Sequence, residues 1–188
     1  GQGFRERRVR SGLGPRGVTA KGREALVNRQ HAVVAVLATW LIVTSPWVAM
    51  LSKVPKSAGF FDYAHIVAGF LAMLVGVSYT IMCVRDGGWR IYFPWASGNG
   101  GAVTRDLGGL LRARMPSAEG GGLFAMIEGL LLVALLVAAV SGAAWVLNQG
   151  TDLALPWRDH HILAARAFTG LLVLHVLAVA SHLLDFVR

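Results

Sequence analysis

Four long apolar runs punctuate the chain, at about 31–51, 63–84, 123–147 and 161–187. A helix needs roughly 20 apolar residues to cross a ~30 Å hydrocarbon layer, and each run is long enough. The first, HAVVAVLATWLIVTSPWVAML, holds Pro46 near its far end, where a kink is tolerated. None alternates with period two, which argues against a β-barrel. The pattern predicts an all-α integral membrane protein, a four-helix transmembrane bundle. The loop at 85–122 is glycine-rich and punctuated by Pro94 and Pro116. Within it, TRDLGGLLRARM reads either as a short amphipathic helix along the membrane surface or as a plain connector.

Composition agrees with that reading. Apolar residues make up 55% of the chain and charged residues only 15%, too few charges to coat a soluble domain of this length. The formal charge is +8, and 8 of the 18 Lys and Arg fall in residues 1–30. A basic stretch of this kind can mark nucleic-acid binding, but here it flanks an apolar run, so a lipid-facing tail is expected and no nucleic acid. The division is a basic cytoplasmic segment, 1–30, and a bundle domain, 31–188.

Charge also orients the bundle. Arg85, Arg90, Arg105, Arg112 and Arg114 lie in the 85–122 loop, against Lys53 and Lys56 in 52–62 and Arg158 alone in 148–160. The positive-inside rule puts both termini and the long loop in the cytoplasm. Trp47, Trp145 and Trp157 fall near the opposite face, as an aromatic belt would. The first run lacks a small-residue cleavage site and is expected to stay as a span. A single cysteine, Cys83, rules out internal disulfides and a CxxCH haem attachment, and is read as packing.

Candidate chemistry rests on histidines, which are costly inside spans and usually functional there. His161 and His175 are fourteen residues apart on one run. Fourteen residues are close to four helical turns, so the imidazoles leave faces about 40° apart at depths differing by ~21 Å. His65 opens the second run at the depth of His161, and His31 opens the first at the inner end, the depth of His175. The expected pairs are His65–His161 outside and His31–His175 inside. Each pair suits a haem iron, which takes two neutral imidazoles in a low-spin centre fit for electron transfer. Two haem b groups are expected. Gly69 and Gly76 lie within about 40° of His65 on the wheel and leave room for a porphyrin, or serve close helix packing.

Other residues have open alternatives. His160 stands in for His161 if the fourteen-residue spacing is not decisive. His182 either replaces His175 or lies near it at a quinone pocket. Glu128 is an intramembrane carboxylate, able to exchange a proton with a quinone or to snorkel to the interface. Arg166 faces either a haem propionate or a polar seam, and Arg158 with Trp157 has a weaker claim on a propionate.

The layout resembles the cytochrome b subunit of respiratory formate dehydrogenases and membrane-bound nickel–iron hydrogenases, within the bacterial cytochrome b561-like group. The resemblance covers roughly 28–188 and is carried by NRQHAVVAVL, DYAHIVAGF, RDLGGLLR and HHILAARAFTGLLVLH. It implies His31, His65, His161 and His175 as the haem ligands. It also implies outer-face iron–sulfur and catalytic subunits as partners, with electrons passing to the quinone pool near the cytoplasm. Two other functions are kept: a stand-alone b561-like quinone oxidoreductase, homodimeric in some form, and a haem-free membrane anchor whose histidines only pack.

Overall fold

A computed structural model describes residues 15–98, 100–112 and 121–187, apart from the side chains of 15–20, 86 and 182–187. Nearly all of that chain is helical, and no strand occurs among the described residues. Helix α1 spans Pro15–Thr44 and ends in a 3-10 turn, Ser45–Trp47. Helix α2 spans Phe60–Val84, α3 is the short Trp89–Tyr92, and α4 spans Gly100–Leu110. Helix α5 spans Leu123–Leu147 and α6 spans Ala154–Val187. Four helices are long and apolar enough to cross a membrane, over Lys21–Trp47, Phe60–Val84, Leu123–Leu147 and Ala154–Ser181.

Two spans differ from the apolar runs, for physical reasons. The first already includes Lys21–Gln30, where polar side chains before His31 are satisfied by α2. Gln30 Nε2 donates to Ser78 Oγ at 2.6 Å, and an Arg23 guanidinium nitrogen donates to the Met82 carbonyl at 3.2 Å. It stops at Trp47 rather than 51, because Pro46 lacks an N–H and cannot continue the helix. Helix α6 starts seven residues before His161, with Pro156 in its first turn, where the missing N–H costs nothing. His31 and His161 therefore sit inside their helices rather than at the ends.

The helices pack in the order α1 on α2, α2 on α5 and α5 on α6. Between α1 and α6 there is no comparable packing among the described residues. One core cluster joins all four: Val34 and Ala38 of α1, Val75 and Tyr79 of α2, Leu135 of α5, and Phe168 and Leu172 of α6. Outside it the bundle is apolar and uncovered, with Val36 70% and Leu163 69% exposed, as a lipid-facing surface requires.

Side chains tie the loops down at both ends of the bundle. At one end, which we call the Asp62 end, both carboxylate oxygens of that residue accept 2.9 Å hydrogen bonds, from the backbone N–H of Ala49 and of Gly59. Trp145 is buried, not part of an aromatic belt, and its indole N–H donates to the Leu51 carbonyl at 2.9 Å. Gln149 accepts from the Val54 N–H, and the Gly150 N–H donates to the Ser52 carbonyl. Gly150 makes that turn at φ +78, in the left-handed region that glycine enters without strain. At the other end, the Tyr92 end, α4 overlaps the first seven residues of the expected amphipathic stretch, 104–110. Its Asp106 accepts from the Leu123 N–H at 2.8 Å, capping α5.

Candidate functional site

His65 is the sixth residue of α2 and His161 the eighth of α6, and the fold brings them together. Their ring centres are 6.4 Å apart with planes at 86°. His161 Nδ1 lies 2.8 Å from the Ala138 carbonyl oxygen of α5. A carbonyl only accepts, so Nδ1 carries the proton and the Nε2 lone pair is left free to bind a metal. Gly142, one turn beyond Ala138, makes room for this ring: a Cβ there would stand 2.9 Å from His161 Nδ1.

The pair fits a haem iron. Metal–nitrogen bonds of ~2.0 Å on opposite sides of one metal separate two imidazole centres by roughly 6 Å. The protein supplies that separation, one ring held in the right tautomer, and open space alongside. Gly69, one turn past His65, would meet nothing within 4 Å if given a Cβ. His65 Nδ1 is buried without a hydrogen-bond partner, which packing alone leaves at a cost of about 1–3 kcal/mol. Gly76 differs from Gly69. A Cβ there would sit 3.1 Å from Leu135 Cδ2, so it serves the close packing of α2 on α5 and opens no cradle.

The remaining histidines separate. His160 is exposed, its Nδ1 bonded back to the Pro156 carbonyl at 2.6 Å and its ring beside Trp157. It points away from His65. His31 lies against Tyr79 of α2, ring centres 5.8 Å apart. His175 is half-buried, and its Nδ1 is buried and without a partner. No direct contact joins His31 to His175 among the described residues. Val34 is one turn from His31 and Leu172 one turn from His175, and both belong to the one core cluster, on the side facing the Asp62 end. The two histidines thus lie at matching depth, on the helices between which packing is sparse. His182 falls within α6, but its side chain lies outside the described residues. Arg166 is exposed, and five positions from His161 turn it about 140° away from the paired rings.

A second polar group occupies the Tyr92 end. Glu128 of α5 is half-buried, with Tyr79, Cys83 and Tyr92 as electrostatic neighbours. Cys83 is buried, as expected of packing, with Tyr79 and Tyr92 as its polar neighbours. Burial, followed by Cys83 and Glu128, pushes the Tyr92 hydroxyl up to about 12, so it stays protonated as a donor.

The family model for prokaryotic cytochrome b561 matches residues 24–184, nearly the whole chain. The chain belongs to the prokaryotic cytochrome b561 family. No curated protein and no solved structure matches it. Membership makes this a multi-pass membrane protein of a cytochrome b family, consistent with electron transfer, and implies b-type haem. Ala138, Gly142 and Asp62, which build the neighbourhood of the paired imidazoles, are absent from the sequence reading. A glycine or a backbone carbonyl on another helix leaves no mark in a single chain, whereas Asp62 three residues before His65 was visible as a helix-start carboxylate.

Proposed function

We propose that this chain carries electrons across a bacterial inner membrane through two haem b groups. They link an iron–sulfur and catalytic partner on the outer face to the quinone pool near the cytoplasm. The observation that carries the reading is the His65–His161 pair, 6.4 Å apart and fixed by the Ala138 carbonyl. His65 and His161 would hold the outer haem; His31 and His175 would hold the inner one, supported by their matching depth and the orphan nitrogen of His175. Haem held by these imidazoles would supply an iron suited to one-electron exchange.

The chain's own residues do the rest. The Ala138 carbonyl keeps the proton of His161 on Nδ1, and the clamp around Asp62 and Trp145 holds loop 48–59 as an ordered outer platform. Glu128 at the Tyr92 end would hold a proton for a quinone, with Tyr92 as a hydroxyl donor and His182 near the same end. Basic residues concentrated in the N-terminal segment and the 85–122 loop support a cytoplasmic placing of that end. The formate dehydrogenase and nickel–iron hydrogenase type of subunit is the specific kind that the resemblance favours.

The test is assembly. The chain purified from its native membrane in mild detergent is expected to bring an iron–sulfur subunit with it, and to reoxidise on adding a soluble quinone. A pure homodimer that itself reduces quinone would overturn the partner half of the reading in favour of a stand-alone oxidoreductase.

A further inference from the structure

Arg166 is a full charge in the middle of a span, on a face nothing covers. It lies twelve residues from Ala154 and fifteen from Ser181, about 18 and 22 Å along the helix axis. The buried positions of α6 nearest to it, Ala164 and Phe168, lie on the opposite side of the helix, about 160° away in each direction. Arg166 shares its face with Leu163, Val173 and Leu177, which are 69%, 53% and 61% exposed, and with Gly170, beside which a Cβ would meet nothing. It makes no hydrogen bond or ion pair among the described residues.

An uncovered arginine at this depth is expensive, and such residues face a bundle interior or a charged partner. The four spans offer no counter-charge at its depth. Every Asp or Glu inside the four spans, namely Glu24, Asp62, Glu128 and Asp159, lies within the first six residues of its span. A second copy of the chain fits poorly, since a two-fold contact through this face would set Arg166 against its twin.

We infer that the Leu163–Leu177 face of α6 is an interface for a transmembrane helix of another polypeptide, one that carries a carboxylate near the bilayer middle. Gly170, one turn from the charge, lets that helix approach closely, and the leucine and valine side chains around it supply the packing. The inference is independent of the haem reading, because it uses the face turned away from the histidines.

The probe is a polyleucine transmembrane peptide with lysine ends and one central Glu, compared with the same peptide bearing Leu there. Energy transfer from a labelled full-length chain in phosphatidylcholine vesicles reports binding. The Glu peptide is expected to bind about tenfold tighter than the Leu peptide. The preference should vanish in Arg166→Gln and survive in part in Arg166→Lys. Equal binding of the two peptides by the wild-type chain, as an arginine snorkelling to the interface would give, overturns the inference without need of any variant. A preference that persists in Arg166→Gln overturns it too, as does an Arg166-dependent dimer of the chain alone.

Discussion

The Nδ1 of His161 decides which of two adjacent histidines serves the site. His161 turns inward to the Ala138 carbonyl and His65, while His160 folds back on Pro156. Replacing His161 by Ala should halve the haem bound per chain, read from the reduced-minus-oxidised α-band, and His160→Ala should leave it unchanged. Gly142→Ala is a finer probe. The added methyl would press on His161 Nδ1, displace it from the Ala138 carbonyl and weaken the outer centre by about 1–3 kcal/mol, measurable as faster haem loss on warming. The histidines were legible because spans two and four run in the same direction, so that equal positions along each give equal depth. Gly142 and Ala138 were not, because their role exists only once α5 lies against α6. Gly76 shows the reverse: its wheel position suggested a cradle, and Leu135 on another helix fills the space.

At the level of elements, helix existence was written in the apolar runs and helix ends were not. Lipid demands unbroken hydrogen-bonded backbone, so each run of sufficient length had to be a helix. That α1 runs on before His31 rests instead on polar contacts from Arg23 and Gln30 to α2, some fifty residues away in sequence. The clamp at the Asp62 end is equally non-local, with Trp145 reaching Leu51 and Gln149 reaching Val54. Trp145 consequently looked like a belt residue and is a buried strut. Removing its donor in Trp145→Phe should cost about 1 kcal/mol, seen as a lower thermal midpoint in detergent. Asp62→Ala strips acceptors from two backbone N–H groups and should cost more, about 2 kcal/mol, by the same measurement.

For the whole molecule, the fold brings His65 to His161, and the proposed inner pair, His31 and His175, lies ~21 Å further along the bundle. The proposed orientation rests on the basic N-terminal segment and loop. In a Cys83→Ser background, a cysteine at Lys53 should react with an impermeant maleimide in intact spheroplasts, and one at Arg105 should react only after lysis. The central claim is a two-haem chain held by these four imidazoles. Its most direct test is the haem-to-protein ratio of the purified chain, from a pyridine haemochrome assay with a dithionite-reduced minus oxidised spectrum. Two b-type haems per chain are expected, and a ratio of one or none would contradict the account.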